Sequence, residues 1–91
     1  MLKIMCGESA SKSITLKLEG RVIGPWVEEV RRVSEKILVS GAMLTLDLSE
    51  VTFVDREGVE LFRNLRDQQA MVLNSSVFVA EQLRSWKHQG G

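Results

Sequence analysis

The sequence has few of the residues that build disulfide-linked or membrane-spanning proteins. It contains one cysteine, Cys6, which has no partner for a disulfide within the chain. No apolar run approaches the ~20 residues that a membrane-spanning helix requires, and no basic segment followed by a long apolar stretch precedes the domain. These absences predict a soluble protein of the reducing cytoplasm.

An excess of charge of either sign is also missing. Twelve basic and twelve acidic residues give a formal net charge of zero. Long-range attraction to nucleic acid or to an anionic membrane is therefore not indicated, and we expect neither nucleic-acid binding nor direct membrane insertion. The 91 residues, 44% of them hydrophobic, suit one small domain with a single core. We place this domain at residues 1–88 and expect residues 89–91 to fray.

Residues capable of catalysis are present but isolated. Cys6 lies in the apolar run LKIMC and the only histidine is His88, so a buried structural thiol is favoured over a Cys/His pair. Asp47 and Asp55 could converge for acid/base chemistry or to bind a divalent ion. No nearby His or Lys completes such a site, and acidic residues are ordinary at strand ends and helix caps. We therefore expect no enzyme activity, no cofactor and no metal.

Two further motifs are explained by local structure. CGESASKS superficially resembles a phosphate-binding loop, with Gly7 followed by Lys12 and Ser13. The second glycine directly before the lysine is missing, and a strand is predicted where a helix would have to follow. Ser75 and Ser76 are interpreted as cap residues, because no base accompanies them.

Hydrophobic periodicity predicts a hairpin followed by a helix. MLKIMC and SITLKLEG are predicted strands, and the polar connection GESASK is typical of a hairpin loop. In GPWVEEVRRVSEKILVSG, Pro25 suits the first helical position, between a cap at Gly24 and a stop at Gly41. The predicted apolar stripe of this helix consists of Trp26, Val30, Val33 and Ile37.

The second half of the chain alternates strands and helices. AMLTLDLS is predicted to be a central strand, covered on both faces because its apolar content is dense. Asp55 is predicted to cap a second helix with apolar positions at Leu61, Phe62 and Leu65, and AMVL to form a short fourth strand. NSS then caps a third helix, whose predicted inward residues are Phe78, Val79, Leu83 and Trp86.

The order is therefore β-β-α-β-α-β-α. Strands that alternate with helices imply right-handed crossovers and parallel pairing. The predicted fold class is α/β, with a small open mixed sheet of about four strands, an N-terminal antiparallel hairpin and three helices. In such sheets the functional loops follow the carboxyl ends of the strands, where residues 49–58 fall.

The segment LTLDLSEVTFVDREGVELFRNLRD resembles the STAS domain, the module shared by anti-sigma-factor antagonists and the cytosolic parts of some sulfate transporters. The resemblance is carried by a strand ending in Asp47-Leu48-Ser49, by an apolar approach at Val51, Phe53 and Val54, and by Asp55, two variable positions and Gly58 opening a helix. KLEGRVIGPWVEEV and LNSSVFVAEQL are similar to the preceding and following segments of the family. The resemblance implies a STAS-like fold and a cytoplasmic, non-catalytic module that acts in signalling and transcription by binding proteins.

In the switching members of that family the loop reads Asp-Ser-Ser-Gly or Asp-Ser-Thr-Gly. A partner kinase phosphorylates the serine directly after the Asp, which breaks binding. Here Arg56 occupies that position and cannot accept a phosphoryl group, while one carboxylate at Glu57 has less charge and fewer acceptor oxygens than a phosphate. The resemblance thus implies a partner-binding loop without the usual switch, formed by Ser49, Thr52, Asp55, Arg56, Glu57 and Gly58.

The implied partner is an anti-sigma factor or a serine-kinase-like regulator, and a homodimer stays open. Three other interpretations stay open as well. Asp55 suits a helix cap with no further role. The same sheet edge suits a small-ligand or nucleotide-binding domain. The chain would also suit an accessory STAS subunit of a membrane transport complex.

Overall fold

Four strands and three helices follow one another in the predicted order. The computed structural model describes residues 2–10 and 12–85. The elements are β1 (Leu2–Ala10), β2 (Ser13–Val22), α1 (Pro25–Val39), β3 (Met43–Val54), α2 (Arg56–Asp67), β4 (Met71–Leu73) and α3 (Val77–Ser85). The predicted α/β order is confirmed.

The strands form one mixed sheet in the order β1-β2-β3-β4. β1 and β2 pair antiparallel, with Met5 opposite Lys17, which confirms the predicted hairpin. Its predicted loop at residues 7–12 was too long, because β1 continues to Ala10. β2 pairs with β3 in parallel, and β3 pairs with β4 in parallel. β3 therefore has a strand on each side, as predicted, and α1 and α2 supply the crossovers that parallel pairing requires.

Helix α1 begins and ends as its sequence indicates, and its fully buried positions agree only in part with the predicted stripe. Gly24 is the N-cap at a φ of 55°, a conformation that favours glycine. The buried positions are Val27, Val30, Ser34 and Ile37, whereas Trp26 and Val33 are only partly buried. All four members of the predicted stripe thus contact the core, two of them only partly buried, and the polar Ser34 occupies a core position that hydrophobicity does not reveal.

The helices cover only one face of the sheet. Along β3, Leu44, Leu46 and Leu48 are buried, while Thr45 and Asp47 between them are partly exposed. This period of two places alternate residues on opposite faces. The prediction that both faces of β3 are covered was therefore wrong, because a dense apolar run concealed the alternation.

The core lies between the covered face of the sheet and the three helices. Its largest fully buried side chains are Phe62, Leu16, Leu18, Leu44, Leu46, Leu48, Leu61 and Leu65. The predicted inward positions of α2 are thus confirmed, as are Val79 and Leu83 of α3.

Two predicted burials were wrong. Phe78 is 56% exposed, because it lies to one side of the inward residues Val79 and Leu83, with its ring beside that of Phe53. Cys6, on the edge strand β1, is exposed.

The remaining predictions concern the C-terminus and the membrane. Trp86, His88 and the tail at residues 89–91 lie outside the described residues, so the boundary at residue 88 stays a prediction. Among the described helices, none is both long enough and apolar enough to cross a membrane.

The substitution Leu46→Ala tests whether the helices cover only one face of the sheet. Leu46 is fully buried, so its truncation should lower the free energy of unfolding by about 2–5 kcal/mol. The control is Thr45→Ala on the uncovered face, with an expected change below about 1 kcal/mol. Urea unfolding followed by circular dichroism measures both, and equal losses would contradict the arrangement.

Candidate functional site

Most of the predicted loop at residues 49–58 belongs to β3, which continues to Val54. Its pairing with β2 shifts register twice, once between the partners of Lys17 and Glu19 and once between those of Gly20 and Arg21. Each shift inserts one extra residue in β3, as a β-bulge does. The expected loop at Ser49 was wrong because these bulges interrupt the alternation by which a strand is recognised.

Asp55 is the single residue between β3 and α2. Its carboxylate accepts backbone hydrogen bonds at the start of two helices. Oδ1 accepts a hydrogen bond from the Gly58 N–H at 2.8 Å, and Oδ2 accepts one from the Gly24 N–H at 2.9 Å. The Asp55 N–H donates to the Val22 carbonyl at 3.1 Å. The predicted cap of α2 is confirmed, and the bond to Gly24 extends it to the start of α1.

Gly58 lies where α2 packs closely against the ends of β2 and β3. A Cβ at this position would stand 2.6 Å from Cγ1 of Val54 and 3.0 Å from the carbonyl oxygen of Val22. Gly58 is buried. Glycine is therefore required by the close packing of backbone and side chain, not by an unusual backbone angle.

The other predicted loop residues expose their side chains in different places. Arg56 and Glu57 are exposed in the first turn of α2, and the Arg56 Nε lies 3.8 Å from Glu60 Oε2. Thr52 is exposed and its hydroxyl donates to the Gly20 carbonyl at 3.4 Å. Thr52 and residues 55–58 thus lie together at the end of β3.

Ser49 lies apart from this group, beside the end of β4. Its backbone N–H donates to Asp47 Oδ1 at 3.0 Å, and the Asn74 side chain donates to the same oxygen at 3.4 Å. Asp47 and Asp55 are eight positions apart in one extended segment, a separation of roughly 20–25 Å. They therefore do not form a carboxylate pair. Within residues 2–10 and 12–85, no cluster of three or more His, Cys, Asp or Glu residues could hold a metal.

The pKa of the Asp47 carboxyl is lowered from its ordinary value of 3.8. The main cause is the hydrogen bond from the Ser49 backbone N–H, and desolvation opposes it. The side chains of Ser49 and Asn74 and the positive charge of Lys17 lower the pKa further. The carboxylate is thus stabilised in its ionised form by neighbouring donors.

An exposed aromatic pair, absent from the predicted site, flanks the end of β3. The rings of Phe53 and Phe78 lie with their centroids 6.3 Å apart, tilted by 31°. Their exposures are 38% and 56%, and Val77 beside them is 87% exposed. We call Phe53, Val77 and Phe78 the aromatic patch. Its sequence signal is weak, because the apolar pattern of α3 does not distinguish Phe78 from the buried Val79 and Leu83.

Gln82 attaches α3 to the same end of β3. Its Nε2 donates to the Val54 carbonyl at 2.9 Å, and its Oε1 accepts from the Val54 N–H at 3.0 Å. These are the two bonds that an adjacent strand would supply, and β4 ends opposite Asp47, well before Val54. The side-chain amide therefore takes the place of a strand and satisfies the backbone of β3.

Comparison with solved structures identifies the fold. The structure of the anti-sigma-factor antagonist SpoIIAA in its unphosphorylated form matches with a TM-score of 0.74 at 17% identity, over 90% of this chain and 82% of that one. The chain has the SpoIIAA fold. The phosphorylated form of SpoIIAA, a Bacillus cell fate determinant, matches with a TM-score of 0.67 at 18% identity, over 97% of this chain and 84% of that one.

The predicted STAS-like fold is thereby confirmed. A structure of Mglu also matches, with a TM-score of 0.59 at 19% identity, over 75% of this chain and 18% of that one. No protein-family model and no curated protein sequence gives a significant match. The likeness is therefore one of fold, carried by the arrangement of elements and not by sequence identity.

Gly58→Ala should destabilise the SpoIIAA-like fold. The added methyl group overlaps Val54 and the Val22 carbonyl, and overpacking of this kind costs about 1–3 kcal/mol. Gly7→Ala is the matched control, because nothing lies within 4 Å of a Cβ at Gly7. We expect the control to change stability by less than about 0.5 kcal/mol. Similar midpoints of thermal unfolding for the two variants would contradict the close approach.

Asp47→Asn should destabilise the protein more at neutral pH than in acid. Since folding lowers the pKa of Asp47, its ionised form contributes stability above the ordinary value of 3.8, and this contribution disappears as the pH falls through the lowered pKa. The difference between wild type and variant should therefore shrink as a urea-unfolding series proceeds into acid. Glu35→Gln controls for the loss of one negative charge. A difference that stays constant with pH would contradict the prediction.

Proposed function

We propose that this chain is a non-catalytic regulatory module that binds another protein with the end of β3, the first turn of α2 and the start of α3. The observation that carries the proposal is the aromatic patch beside the Asp55 turn. Aromatic side chains concentrate at the centres of protein interfaces, and here two of them are exposed next to charged first-turn residues. The SpoIIAA fold, shared with an anti-sigma-factor antagonist, supports the same function.

The predicted loop residues take different parts in this proposal. Thr52, Arg56 and Glu57 contact the partner, because their side chains are exposed beside the patch. Asp55 and Gly58 shape the turn, since the carboxylate of Asp55 accepts two backbone hydrogen bonds and Gly58 is buried. Ser49 lies at the margin of the surface, near the end of β4.

We further propose that binding is not switched by phosphorylation at the usual loop position. SpoIIAA has been solved in both an unphosphorylated and a phosphorylated form. Arg56, the residue that follows the capping Asp55, carries no hydroxyl group. The partner is an anti-sigma factor or a serine-kinase-like regulator, and the setting is the cytoplasm, in the control of transcription.

The aromatic patch can be tested with a matched pair of surface valines. Val77 and Val39 are each 87% exposed, at the start of α3 and the end of α1. The double variant Phe78→Ala with Val77→Ser should lose about tenfold or more in partner affinity, as expected when an aromatic anchor is truncated. Val39→Ser should bind like wild type.

The measurement has two steps. Affinity capture from the native cytosol, followed by mass spectrometry, identifies the partner, and calorimetric titration with that purified partner gives the affinities. Arg56→Glu should also weaken binding, because it reverses a charge within the proposed surface. Capture of no anti-sigma factor or kinase-like regulator by wild type, or equal affinities for all variants, would contradict the proposal.

A further inference from the structure

A groove separate from the partner-binding surface lies between α2 and α3, above β4. Three arginines line it: Arg63 and Arg66 from α2, and Arg84 from α3. Its apolar lining comes from Val72 of β4 and from Ala80 and Leu83 of α3. Its volume is about 770 Å³, within the range of about 300–1,000 Å³ that is typical of small-molecule sites.

Positive charge is concentrated in the groove, although the formal net charge of the chain is zero. Among the described residues that line it, Asp67 is the one acidic side chain, against the three arginines. Arg84 forms an ion pair with Glu81, whose Oε1 lies 2.9 Å from the Arg84 Nη2. Arg66 forms no ion pair within the described part of the chain. Its guanidinium therefore keeps its donors for a ligand.

The chemistry of the lining indicates a ligand with two parts. Guanidinium groups present rigid forks of donors that match phosphate oxygens, often in pairs. Ser75, also in the lining, adds a hydroxyl that can donate to the same group. The apolar side chains of Val72, Ala80 and Leu83 offer no partner to a charge, but they do offer a surface for a carbon skeleton.

We propose that this groove binds a small organic phosphate, with its phosphate on Arg66 and Arg84 and its carbon skeleton against Val72, Ala80 and Leu83. The small-ligand alternative suggested by the sequence was placed at the carboxyl end of the sheet. The groove is instead formed by the sides of two helices. It does not depend on the protein partner, so the isolated chain can bind the ligand.

The test is a titration of the whole chain followed by amide nitrogen–proton correlation spectra, with AMP, CMP and glycerol phosphate as probes. At least one probe should give saturable shifts centred on residues 63–67 and 72–84. Adenosine, which lacks the phosphate, and inorganic phosphate, which lacks the skeleton, should each bind about tenfold or more weakly than the best probe.

Substitutions then assign the contact. Arg66→Ala should weaken the best probe by about tenfold or more, and Arg66→Lys by less, because lysine keeps the charge but loses the fork. Arg32→Ala is the control, since Arg32 is equally an exposed helix arginine but pairs with Glu29 on α1. The proposal is overturned if no probe saturates, if the shifts lie elsewhere, or if Arg66→Ala and Arg32→Ala bind alike. None of these outcomes bears on protein capture by the aromatic patch.

Discussion

The arrangement of strands and helices depends on the two hydrogen bonds that the carboxylate of Asp55 accepts. It joins the start of α1, through the N–H of Gly24, to the start of α2, through the N–H of Gly58. Its own N–H is bonded to the carbonyl of Val22 at the end of β2. Two strand ends and two helix starts thus share one residue. The turn that the proposed partner would meet is therefore fixed before binding, which lowers the entropic cost of association.

The features that follow from neighbouring residues could be predicted from the sequence. Pro25 marks the start of α1 and Asp55 the start of α2, because capping chemistry acts within one turn of a helix. The alternation of strands with helices then determines the parallel crossovers. The end of β3 was missed for a local reason too, since two bulges between Asp47 and Phe53 hide the period of two that identifies a strand.

Features that depend on distant residues could not be predicted in this way. Gln82 binds the backbone of Val54 across 28 positions, and no pattern near either residue indicates the other. The contact between the tilted rings of Phe53 and Phe78 likewise joins residues that are remote in sequence. The apolar character of Phe78 predicted a core position, but the buried residues of α3 are Val79 and Leu83, and Phe78 is 56% exposed. The residues of the turn could thus be singled out from local patterns, whereas the aromatic patch beside them depends on a contact between distant residues.

Helix α3, nine residues long, contributes residues to both proposed surfaces. With 100° per residue, Phe78 and Gln82 lie on one side of the helix, Ala80 and Arg84 on the opposite side, and Val79 and Leu83 between them face the core. The aromatic patch and the arginine groove are therefore back to back on one short element. A helix of this length is marginal alone, so both surfaces depend on the same buried anchors and on the amide of Gln82. Changes at those anchors would disturb both surfaces, whereas changes at exposed side chains affect one surface at a time.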